Sequence, residues 1–162
     1  MGTGKTVVGK ALAEVLDFKY IDTDLMIEAE AKMSIPEIFG NLGEDAFRQM
    51  ESDAIKRITH LQKYVIATGG GAVLNDENIA LMKKTGTVIC LTATPDVIYY
   101  RTQSTDYRPL LQTNDPMKKI KSLLHIRESQ YQKAADYTID TSLLSVKTIV
   151  ETIISLWSKE ES

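Results

Sequence analysis

Short apolar runs rich in β-branched residues alternate along the chain with longer stretches in which apolar positions recur every three or four residues. The runs Phe18 to Asp22, Tyr64 to Thr68, Thr87 to Leu91 and Tyr137 to Asp140 read as buried strands. Helical spacing covers about 5–16, 25–32, 35–39, 43–61, 76–84, 95–102, 116–134 and 146–157. Alternation of this kind is the mark of parallel strands joined by crossover helices, so the class is α/β. The stretch 103–114 breaks the pattern: it is polar, lacks apolar periodicity and contains Pro109, which predicts an exposed, mobile loop. No repeat, low-complexity tract or linker divides the rest, and 162 residues suit one domain spanning 1–162.

Charge changes this picture only locally. Nineteen Lys and Arg against 22 Asp and Glu give a net −3, which argues against a nucleic-acid partner. Between residues 101 and 133, however, seven cations face three anions, so an anionic ligand is to be sought there. The chain has no apolar run long enough to cross a bilayer and no signal-peptide layout, so a soluble cytoplasmic protein is expected. The lone Cys90, inside an apolar run, reads as a buried small side chain.

The first chemistry-bearing segment is Gly2-Thr3-Gly4-Lys5-Thr6, followed at once by a helical pattern with Val7, Val8, Ala11 and Leu12 as candidate core positions. Glycines let successive backbone N–H groups curl around a phosphate, and the helix N-terminus adds partial positive charge. A lysine here reaches the β/γ oxygens and a threonine hydroxyl meets Mg²⁺. This is the second half of a P-loop; the glycine that the full pattern places five residues before Gly4 would precede Met1.

Asp22 and Asp24 stand where the first strand ends, the place where ligands collect in open α/β sheets. One division of labour puts Asp22 near Mg²⁺, through water, and Asp24 toward an acceptor hydroxyl. The alternative makes Asp24 the N-cap of the next helix. The strand at 64–68 ends in Gly69-Gly70-Gly71, which lets a substrate approach the main chain closely.

Only five arginines occur: Arg48, Arg57, Arg101, Arg108 and Arg127. The guanidinium fork binds carboxylate or phosphate at two points, so each position carries information. Glu51, one helical turn after Arg48, could orient that side chain, whereas Arg57 reads as a surface ion pair with Asp53.

Taken in order, Gly2 to Thr6, Asp22-Thr-Asp24, Phe47-Arg48-Gln-Met-Glu51, Thr68-Gly69-Gly70-Gly71, Arg108-Pro109-Leu110-Leu111 and Arg127 with Tyr131 make the sequence resemble shikimate kinases, small P-loop kinases of aromatic amino-acid biosynthesis. The resemblance covers essentially the whole chain after Met1. It implies a three-layer α/β fold with a parallel sheet of order 2-3-1-4-5 flanked by helices, and a mobile lid over about 103–114. The implied reaction is ATP-dependent phosphorylation of the 3-hydroxyl of shikimate, giving shikimate 3-phosphate and ADP, with one Mg²⁺ per chain. By that similarity Asp24, Arg48, Gly69, Gly70, Gly71 and Arg127 hold shikimate, and Gly2, Thr3, Gly4, Lys5 and Thr6 hold the nucleotide. Thr6 and Asp22 serve the metal, Arg101 packs on adenine and Arg108 is the lid arginine. Asp24, Lys5 and Arg108 are the implied catalytic groups, in a monomer.

Two departures accompany the resemblance. The family begins with an apolar strand and a glycine ahead of the cradle, both absent here, so a truncated reading of a longer enzyme is expected, with Met1 an internal methionine. The loop after Ile139-Asp140-Thr141 also lacks the proline that some members carry, leaving one wall of the adenine site unassigned. Two other readings stand beside this one: another P-loop small-molecule kinase, such as a gluconate kinase, and a catalytically impaired nucleotide-binding relative.

Overall fold

A computed structural model describes residues 2–103 and 114–159. Helix α1 (Lys5–Leu16) leads into strand β1 (Lys19–Asp22), followed by α2 (Thr23–Ala31), α3 (Ile35–Leu42) and α4 (Glu44–Ile58). Strand β2 (Tyr64–Ala67), a 3₁₀ turn (Ala72–Leu74), α5 (Asp76–Thr85), β3 (Ile89–Thr92) and α6 (Pro95–Thr102) come next. The order closes with α7 (Pro116–Ala134), β4 (Tyr137–Asp140) and α8 (Val146–Trp157). Among the described residues, no helix is long and apolar enough to cross a membrane.

The four strands form two parallel pairs. β1 lies on β2 with Ile21 opposite Ile66, and β3 lies on β4 with Leu91 opposite Ile139. These are the two outer pairs of the strand order implied by the resemblance, and no strand among the described residues stands between them. A cavity of ≈ 740 Å³ there is lined by Val65 and Ile66 of β2, Ile89 and Leu91 of β3, and Leu12 of α1. Val8 and Leu12 join Ile139, Ile149, Val150 and Ile153 in one core cluster, so α1 and α8 pack against each other and on β4. A second cluster, built by Ile27, Ile35, Ile38, Phe47 and Ala54, locks α2, α3 and α4 together. Complete burial of Ile38 alone contributes about 1.5–3 kcal/mol.

Local differences from the predicted elements have local causes. Val7 is 59% exposed, because Val8 and Leu12 are the i, i+4 pair that faces the core and Val7 lies on the other side of the helix. β3 starts at Ile89 rather than Thr87, since the Val88 N–H donates to the Asp136 carboxylate and the Val88 carbonyl accepts from the Asp136 and Tyr137 N–H groups. Helix α4 stops at Ile58, short of the predicted Leu61. Cys90 is half-buried in β3, and burial pushes its thiol pKa up against the pull of Lys5.

Candidate active site

Helix capping prepares the site before any ligand is considered. α2, α3, α5, α6, α7 and α8 each carry a side-chain cap, from Asp22, Ser34, Asn75, Thr94, Asp115 and Ser145. α1 has none among the described residues, and its N-cap is Gly4 at φ 93°, a left-handed conformation that disfavours other residues. A helix start without a side-chain cap and with the dipole behind it is the arrangement that takes an anion.

One cleft of ≈ 630 Å³ gathers Gly2, Thr3, Gly4, Lys5 and Thr6 with Asp22, Asp24, Arg48, Gly69, Gly70, Gly71, Arg101 and Arg127. Residues from six separate stretches of sequence thus meet in one concavity. Arg108 lies outside the described residues, as does most of the predicted lid at 103–114.

At the phosphate end, Asp22 and not Asp24 caps α2: its Oδ1 accepts from the N–H groups of Asp24 at 3.0 Å and Leu25 at 3.4 Å. Its other oxygen accepts from the Tyr20 hydroxyl at 3.2 Å. That phenol also bonds to Thr6, and burial together with the Asp22 charge pushes its pKa up to about 12. Thr6 and Asp22 therefore offer hard oxygen atoms on either side of one neutral phenol. This set suits Mg²⁺, which keeps several waters and takes few protein ligands beside phosphate. Tyr20 was not singled out in the sequence; its position two residues before Asp22, on the same side of the strand, is the signal that could have shown it.

At the other end, Arg48 is fixed by two glutamates. Its Nη1 donates to Glu51 Oε2 and its Nη2 to Glu44 Oε1, both at 2.9 Å, and its Nε donates to Glu44 Oε1 at 3.3 Å. A guanidinium has five N–H donors; three are engaged in these bonds, leaving one on each terminal nitrogen without a bond to the described residues. Glu51 is 1% exposed and its Oε1 lacks a hydrogen-bond partner among the described residues. Burial raises its pKa, Arg48 opposes that, and the nearby Asp24 charge adds to it. Arg48 stays cationic: burial works against the charge, but Glu51 and Glu44 outweigh it. Arg57, by contrast, pairs with Glu30 at 2.6 Å instead of Asp53, whose carboxylate takes the Gln49 amide.

The glycine triplet makes room for side chains of the protein itself. A Cβ on Gly69 would stand 2.5 Å from Glu51 Oε1 and 2.8 Å from Asp24 Oδ1, and one on Gly71 would collide with the Arg48 guanidinium. The Gly69 N–H is bonded to the buried Thr23 hydroxyl at 3.3 Å. The Gly70 carbonyl accepts from the Tyr131 hydroxyl at 2.9 Å. Arg127, 6% exposed, adjoins that hydroxyl; burial raises the Tyr131 pKa while Arg127 draws it back.

Arg101 does not stand free. Its Nη1 donates to Thr141 Oγ1 at 3.0 Å and to the Gly2 carbonyl at 3.4 Å, and its Nη2 donates to the Thr141 carbonyl at 2.9 Å. Leu144 and Val146 line the same cleft. Sequence reasoning did not single out Thr141; a hydroxyl immediately after the last strand residue was its only trace.

The family model for shikimate kinase matches residues 1–157. Among curated relatives, a shikimate kinase from Caldanaerobacter subterraneus subsp. tengcongensis is 46% identical over 98% of this chain and 92% of its own. One from Thermodesulfovibrio yellowstonii is 46% identical over 98% and 91%. Among solved structures, a shikimate kinase from Acinetobacter baumannii in complex with shikimate superposes with a TM-score of 0.95 at 36% identity, over 99% of this chain and 89% of that one. A shikimate kinase from Bacteroides thetaiotaomicron gives 0.88 at 32% identity, over 96% and 93%.

Proposed function

The chain belongs to the shikimate kinase family, and from that premise we propose how its own residues carry the reaction. It is a P-loop kinase that phosphorylates shikimate with ATP, and the phosphoryl acceptor is the 3-hydroxyl. The observation that supports this assignment of residues is the meeting of Lys5, Asp24, Arg48 and Arg127 in one cleft.

Phosphoryl transfer asks little covalent chemistry of a protein; positioning and charge neutralisation dominate. Arg48, with one free N–H on each terminal nitrogen, and Arg127 clamp the shikimate carboxylate and so turn the ring. The acceptor hydroxyl then meets Asp24, which orients it and takes its proton late in the transfer. The α1 amides and Lys5 hold the phosphates and offset charge that develops on them. Arg108, at a position the resemblance marks as phosphate-facing, adds a further cation. One Mg²⁺ per chain, held by Thr6 and through water by Asp22, would supply additional charge neutralisation when bound with ATP. Arg101 forms one wall of the adenine site, and Leu144 and Val146 supply the apolar wall that the absent proline left unassigned. The reading includes a monomer working in the cytoplasm.

The test is ADP release from this chain in the presence of Mg²⁺ and ATP, with shikimate, with gluconate and without an acceptor. Release is expected only with shikimate. Equal release with gluconate, or none with shikimate, would overturn the reading.

A further inference from the structure

Thr141 directly follows β4, is 1% exposed, and bonds at once to Thr3, Thr92 and Arg101. Its hydroxyl oxygen is 2.9 Å from the Thr3 carbonyl and 3.0 Å from the Thr92 carbonyl, and accepts from Arg101 Nη1 at 3.0 Å. A hydroxyl has a single proton to give. The Thr92 carbonyl already receives the Thr141 backbone N–H at 2.8 Å, so the Thr3 carbonyl is the acceptor with the greater need. Arg101 grips Thr141 at two points, the hydroxyl and the carbonyl. This fixes the side-chain rotamer, and the cationic donor polarises the hydroxyl into a stronger donor.

Peptide geometry carries the consequence into the phosphate cradle. In a planar trans peptide the C=O and the N–H point in opposite directions. Thr141 holds the carbonyl of the Thr3–Gly4 peptide, and Arg101 holds that of the Gly2–Thr3 peptide. The N–H groups of Gly4 and Thr3 are thereby turned away from Thr141 and Arg101, on consecutive residues of a loop that lines the cleft. Glycines on both sides of Thr3 give this loop little conformational preference of its own, so an external anchor decides which way its amides face.

We infer that Thr141 is a positioning residue for nucleotide binding: with Arg101 it fixes the carbonyls of the glycine loop on one side and so sets its amides for phosphate. This rests on the kinase reading above, and extends it to a cleft residue to which that reading gave no role. Isothermal titration with ADP and Mg²⁺ tests it on the full chain. Thr141→Val, which keeps the shape and removes the hydroxyl, is expected to weaken ADP binding by about tenfold. Thr141→Ser is expected to restore affinity to within about twofold. In turnover, Thr141→Val should raise KM for ATP by a similar factor and leave KM for shikimate unchanged, a split that general loosening of the fold would not give. ADP affinity in Thr141→Val equal to the parent's, or a loss in Thr141→Ser as large as in Thr141→Val, overturns the assignment. Should Thr141→Val not fold, Thr141→Cys, a weak donor, takes its place against Thr141→Ser, and equal affinities again overturn it. Because the readout is ADP, the two ideas fail separately: a parent chain that binds ADP without phosphorylating shikimate sinks the kinase reading, not the role of Thr141.

Discussion

At the scale of single residues, Gly71 and Arg48 were legible as separate marks, but their dependence on each other was not. A pattern of glycines suggests close approach of backbone to a ligand, whereas in the structure the space beside Gly71 is filled by the Arg48 guanidinium. Gly71→Ala is therefore expected to displace Arg48 and raise KM for shikimate by an order of magnitude or more, with KM for ATP unchanged; steady-state kinetics on both substrates checks this. Asp24 reads differently, since the partner proposed for it is the acceptor hydroxyl. Asp24→Asn should lower kcat about 10²- to 10⁴-fold, the usual range for loss of a positioned general base, while ADP affinity measured by titration stays near the parent's. The choice between Asp22 and Asp24 as helix cap could not be made from sequence. Either carboxylate suits an N-cap, and only the start of α2 at Thr23 decides for Asp22.

Among the elements, α1, α7 and α8 were legible to the residue, because a sustained 3.6-residue period has few other solutions, while α4 ended three residues before its predicted limit. α1 and α8 were predicted within their observed limits, and β4 likewise. Short segments were less so. α3 continues to Leu42, past the predicted Phe39, with a capping box of Ser34 and Glu37 at its start and Gly43 ending it. The cap on α5 allows a prediction in which stability and activity separate. Asn75 accepts from the Glu77 N–H at 2.8 Å and its amide reaches Ser52 on α4 at 3.2 Å. Asn75→Ala should cost about 1 kcal/mol in denaturant unfolding, with both KM values unchanged, since neither residue lines the cleft.

For the whole molecule, the α/β class followed from the alternation of short apolar runs with helical stretches, and the kinase family from ordered motifs; the two outer strand pairs followed from the resemblance, since pairing is nonlocal and periodicity alone does not give it. One link across the fold has a pH signature. Asp136 joins β4 to α5 through Lys83 and to β3 through the Val88 N–H. Burial works to raise its pKa, but the Lys83 and Val88 hydrogen bonds and the Lys83 charge hold it below the ordinary 3.8. A carboxyl depressed by folding adds stability that is fully present above 3.8 and is lost as the pH falls through the lowered value. Thermal melts of Asp136→Asn should thus lie below the parent at neutral pH, and the gap should close on acidification below 3.8. The two N–H groups that Arg48 still holds out also bear on inhibitor chemistry. Mimics of the acid that present acceptor atoms there will meet donors, whereas isosteres that carry a proton will meet donor against donor.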